Sequence, residues 1–124
     1  MGEKEIKWRK KAAKEDIKAA LDELALSFSE KEVRKSKKEM LKRRADVETF
    51  KARDILRVAK LKPPSRTNAL IQKQMKKISS GEKLCPVILV QSHRGLQIAD
   101  GFHRIASLFY LDKDAEARCV RIEL

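Results

Sequence analysis

The 124-residue chain reads as a small α+β domain that begins with a helical hairpin. Three patterns predict this. Apolar residues recur at helical spacing early in the chain, and a late apolar–turn–apolar stretch reads as a β-hairpin. The C-terminal residues alternate like a half-buried strand. Hydrophobic residues make up 42% and charged residues 39%, which suits one domain with a modest core.

From Ala13, the residues Ile17, Leu21, Leu24 and Phe28 mark one face of an amphipathic helix. Ser29-Glu30-Lys31-Glu32 has capping-box spacing and opens a second helix to about Arg44, with a thin apolar face of Val33, Met40 and Leu41. The two helices predict a hairpin whose apolar seam packs on the rest of the domain. Residues 1–48 are thus expected to be a basic helical extension and residues 49–124 the main domain.

Thr49-Phe50-Lys51-Ala52 reads as a short strand, and residues 54–59 as a helical turn. Pro63 and Pro64 exclude a helix interior and predict a loop. Asn68 is placed to cap a helix carrying Ile71, Met75 and Ile78, which ends at Ser79-Ser80-Gly81. Pro86-Val87-Ile88-Leu89-Val90 reads as a buried strand. His93-Arg94-Gly95 is a turn, and Leu96-Gln97-Ile98-Ala99 returns beside that strand. Asp100-Gly101 punctuates the chain before an apolar helix with Ile105, Ala106, Leu108, Phe109 and Leu111. Val120, Ile122 and Leu124 alternate with Cys119, Arg121 and Glu123 in a closing strand.

Thirty Lys and Arg against 18 Asp and Glu give a net charge of +12, which favours an anionic partner. Arg34, Lys35, Lys37, Lys38, Lys42, Arg43 and Arg44 crowd the second helix. A stripe of Arg34, Lys35, Lys38 and Lys42 suits a nucleic-acid backbone. A solvated face of a basic protein is the other reading. No aromatic set interleaves with these charges, and Trp8 reads as a packing anchor. No run is long and apolar enough to span a membrane, and residues 1–5 lack the apolar core of a signal peptide. Cys85 and Cys119 have neither disulfide-framework nor zinc-ligand spacing. A reduced, cytoplasmic setting without a metal site or membrane partner is therefore expected.

The segment suited to chemistry is Ile98-Ala99-Asp100-Gly101-Phe102-His103-Arg104-Ile105. A strand ends, a glycine turns the chain and a helix starts at once. Its first N–H groups lack intrahelical acceptors, and His103 and Arg104 stand beside them, a combination that suits a phosphate or carboxylate. A turn that binds nothing has the same residues. Asp100 orients His103, assists a metal-bound nucleotide or satisfies turn N–H groups.

Residues 50–124 resemble the ParB/sulfiredoxin superfamily. The resemblance rests on Asp54-Ile55-Leu56-Arg57, on the helix closing at Gly81, on the proline-led strand from Pro86, and on Asp100-Gly101-Phe102-His103-Arg104. The last of these is similar to a loop reading Gly-Cys-His-Arg in sulfiredoxins and Gly-Glu-Arg-Arg in ParB proteins. The whole chain also resembles a group of small bacterial proteins with this loop. The resemblance implies binding of ATP or CTP with Mg2+ at Gly101, Phe102, His103 and Arg104, with Arg57 as a further phosphate contact, and leaves hydrolysis open. Phe102 stands where sulfiredoxins carry the nucleophilic cysteine, so their reductase activity is not expected. Partition proteins continue into a helix-turn-helix domain after this fold, and their centromere recognition and sliding clamp are not expected of residues 50–124 either. The alternatives are a sequence-independent nucleic-acid-binding protein using Arg34, Lys35, Lys38 and Lys42, and a non-catalytic protein-interaction module.

Overall fold

A computed structural model describes residues 6–124. Residues 1–5, which bear the expectation about a signal peptide, lie outside the described residues. The elements are α1 (Lys14–Leu24), α2 (Glu30–Lys42), β1 (Val47–Lys51), α3 (Ala52–Val58), α4 (Ala69–Ser79), β2 (Val87–Ser92), β3 (Gly95–Asp100), α5 (Phe102–Leu111) and β4 (Glu116–Glu123). The fold is α+β, with one four-stranded mixed sheet in the order β1-β4-β2-β3. β2 runs parallel to β4, and the two outer pairs are antiparallel.

Helices cover both faces of this sheet. Val87 and Leu89 join Ile55, Leu56, Ile105 and Leu108 beneath α3, α4 and α5. Ile88 and Val90 point the other way, into a cluster with Ile17, Leu24, Phe28 and Met40 from the α1–α2 hairpin. Successive strand residues face opposite sides, so burial on both faces requires the unbroken apolar run seen in β2. Residues on either side of position 48 share this core.

Local chemistry sets the helix starts. In α2, the Ser29 side chain accepts the Glu32 N–H at 3.2 Å while Glu32 accepts the Ser29 N–H at 3.0 Å. These bonds hold the Glu32 carboxyl below its ordinary range. Asn68 caps α4 by accepting the Leu70 N–H at 2.9 Å.

Several details depart from the sequence reading. Ala52, read as the end of a strand, opens α3, because its N–H donates to the Ala115 carbonyl while β1 stops at Lys51. Helix α1 ends at Leu24, so Phe28 lies in the turn beyond it yet remains buried. Leu41 is 43% exposed, and Ser36 takes its place on the buried face of α2. The Ser36 hydroxyl donates to the Glu32 carbonyl at 2.8 Å, which lets a polar residue be buried there. β4 begins at Glu116, earlier than the Cys119 start read from its alternation, because Glu116, Ala117 and Arg118 pair with Lys51, Phe50 and Thr49 of β1.

The N-terminal segment is tied down at two places. Trp8 bridges Leu84 and packs against the cluster beneath α3–α5. The Ala12 N–H donates to the Arg44 carbonyl at 2.9 Å, and the Arg44 Nε returns a bond to the Ala12 carbonyl at 2.9 Å.

Candidate functional site

The turn after β3 is built around Gly101. Its φ of +106° is left-handed, and a Cβ there would collide with Val87 Cγ1 and lie 2.9 Å from Val87 Cβ. Glycine is therefore required by the backbone angle and by close packing on β2. The Ile105 N–H donates to the Gly101 carbonyl at 2.9 Å, so α5 starts immediately, and no side chain caps it. The first-turn amides of α5 lack intrahelical acceptors and carry the positive end of the helix dipole.

The side chains there are arranged differently from the cationic pocket the sequence suggests. Arg104 is only 14% exposed at its side chain and reaches inward. Its Nη1 donates to the Cys85 carbonyl at 2.7 Å. Its Nη2 lies 3.5 Å from Asp16 Oδ2 and 3.8 Å from Asp100 Oδ2. One guanidinium thus serves two carboxylates and a carbonyl, and joins α1 to the β3–α5 turn. Among the described residues, Asp100 is paired with Arg104, not hydrogen-bonded to His103 or to the turn N–H groups. Its Oδ2 is buried without a hydrogen bond, facing the guanidinium at ion-pair distance. Burial, reinforced by Asp16 and opposed by Arg104, pushes the Asp100 carboxyl up to about 6.

The other loop residues are partly buried. Phe102 and His103 meet edge to face at 5.6 Å, and the His103 carbonyl accepts the Ser107 hydroxyl at 2.7 Å. Arg57 lies on α3, with a side chain 72% exposed and 3.5 Å from Asp54. Among the described residues it makes no ion pair or hydrogen bond with the 101–104 turn. The structure brings Gly101, Phe102, His103 and Arg104 together, as their adjacency requires, and adds Asp16 and the Cys85 carbonyl. Asp16 precedes Arg104 by 88 positions, and no local pattern marks it.

A second candidate surface lies on α2. Lys31, Lys35, Lys38 and Lys42 are exposed. At 3.6 residues per turn they fall within about 60° of one another, opposite the stripe of Val33, Ser36 and Met40 that packs inward. None of these lysines has an ion-pair partner among the described residues. The carboxylates nearby are engaged elsewhere: Glu39 with Arg43 at 3.4 Å, and Glu32 in the cap. Arg34 flanks the stripe, 4.0 Å from Glu30 across an exposed pair of little strength.

Other charged groups have structural partners. Arg53 and Lys51 hold Asp114 at 3.0 and 3.8 Å, and Arg121 makes a two-point contact with Glu48. Burial pushes the Cys119 thiol up to about 12, so it is protonated and inert at neutral pH. No described helix is long and apolar enough to cross a membrane. No family model, curated protein or solved structure matches the chain.

Proposed function

We propose that the chain binds the phosphate backbone of nucleic acid through α2, without reading sequence, in a cytoplasmic setting. One observation carries this reading: Lys31, Lys35, Lys38 and Lys42 line the solvent face of α2 and lack acidic partners among the described residues. Ammonium groups held on a rigid helix exchange condensed counterions for phosphates, a contact that ignores base identity. Helix α2 offers no aromatic or planar reader of base edges; its one arginine, Arg34, lies beside Glu30. Fluorescence anisotropy with a short labelled duplex tests the proposal. A variant carrying Lys35→Glu, Lys38→Glu and Lys42→Glu should lose most of its affinity while keeping its melting temperature. Equal affinity for that variant and the wild type would remove the proposal.

A second reading keeps the ParB/sulfiredoxin-like assignment and places ATP or CTP with Mg2+ at the 101–104 turn. It is supported by the first turn of α5, which no side chain caps. Against it, Arg104 already serves Asp16 and Asp100, and those carboxylates repel an incoming phosphate. A nucleotide must therefore be held by the α5 amides and His103, or must displace Asp16 from Arg104. A nucleotide panel read by thermal shift separates the readings, because a ligand bound only by the folded state raises its melting temperature.

A further inference from the structure

We infer that the partner of α2 is double-stranded nucleic acid, contacted along its backbone by this one helix, in preference to single strands; the inference rests on the α2 reading above. Three observations favour a duplex.

The first is the shape of the stripe. Lys31 to Lys42 spans about 16 Å along an unbroken helix, at about 1.5 Å per residue. The capping box fixes one end of α2, and burial of Ser36 and Met40 fixes its underside. The ammonium groups thus extend from a rigid line. A duplex presents about one phosphate per 1.7 Å of its axis, already ordered, so a linear face meets several phosphates without reorganising the partner. A single strand must first be drawn out along the helix, at a cost in conformational freedom.

The second is the lack of a stacking platform. Proteins that hold single strands recover that cost by stacking bases on aromatic side chains, worth about 1–3 kcal/mol per base. Helix α2 contains no aromatic residue. Phe28, in the turn before it, is buried, and the Arg94 guanidinium covers its ring at 4.4 Å.

The third is the charge of the neighbouring helix. α1 carries Glu15, Asp16, Asp22 and Glu23 against Lys14 and Lys18, and of these acids Glu15, Asp22 and Glu23 are exposed. The two helices pack together in one layer; the exposed charges of α1, three acids and two lysines, nearly cancel, while those of α2 are predominantly basic. A flexible strand gains by wrapping onto adjoining surface, and α1 offers phosphate no net attraction there. A stiff duplex touches α2 and leaves α1 in solvent.

The test uses a labelled DNA duplex and one of its strands alone, both about 16 nucleotides long. Each is titrated with the full chain by fluorescence anisotropy at low salt. The expected result is affinity for the duplex at least about tenfold above that for the strand. That preference should disappear in a variant with Lys31, Lys35, Lys38 and Lys42 all changed to Gln, its fold checked by circular dichroism. Single-strand affinity equal to or above duplex affinity overturns the inference and leaves the backbone-binding proposal standing. Failure of both probes to bind overturns that proposal and the inference with it.

Discussion

Replacing Arg104 by Ala should damage the fold before it damages any binding. The guanidinium is mostly buried and donates to the Cys85 carbonyl at 2.7 Å, with the carboxylates of Asp16 and Asp100 at 3.5 and 3.8 Å. Truncation leaves that carbonyl unpaired and two like charges facing each other with no cation between them. A lost charge-assisted bond and an uncompensated, largely buried carboxylate together cost about 2–4 kcal/mol. For a chain of 124 residues, an unfolding entropy of about 2.1 cal/mol/K per residue turns that loss into a fall of roughly 8–15 °C in Tm. Thermal and guanidinium denaturation of wild type, Arg104→Ala, Asp16→Asn and the double variant provide the assay. The double variant should lose less than the sum of the single losses, because Asp16 needs compensation only while charged. A melting temperature for Arg104→Ala within about 2 °C of wild type would refute the inward, structural role and return Arg104 to the solvent-facing loop that the sequence suggests.

Two further outcomes follow from the same turn. Gly101→Ala should cost about 2–4 kcal/mol in a denaturant melt, through its left-handed φ and the collision with Val87. Part of that loss should return in a Val87→Ala background, and a melt unchanged by Gly101→Ala contradicts the packing argument. Asp100 sets a pH dependence. Its folded value of about 6 lies above the ordinary 3.8, so the folded state holds the extra proton between those values. Stability from this group is therefore greatest in acid and declines as pH rises through about 6, by on the order of 2–3 kcal/mol in total. Glu32 acts with the opposite sign, but only as pH falls below its ordinary 4.5. The denaturation midpoint between pH 5 and 7.5 should consequently fall less in Asp100→Asn than in wild type; identical slopes would contradict this assignment.

The sequence discloses what is local. The box at Ser29 and Glu32, the cap at Asn68 and the turn at Gly101 each depend on residues within a few positions, and each forms. The apolar run of β2 is legible as a buried strand because both its faces need apolar side chains. Less legible is which side of α2 is inner, since only three apolar residues mark it. Leu41 sits about 100° from Met40 and stays exposed, while Ser36 is buried because its hydroxyl returns to its own helix. Least legible is the surrounding of the 101–104 turn. Arg104 beside a helix start reads as an anion contact; its true neighbours depend on α1 folding over the sheet and bringing Asp16 across 88 positions.

The central claim, backbone contact through the lysines of α2, is tested most directly by the salt dependence of duplex binding. Four lysine–phosphate contacts predict a slope of about −3.6 in a plot of log affinity against log salt, or about a hundredfold loss of affinity between 50 and 200 mM. Changing Lys31, Lys35, Lys38 and Lys42 together to Gln should flatten that slope towards zero. A steep slope that survives the four changes would place the contact elsewhere on the molecule, and a wild-type affinity that does not change with salt would contradict the account.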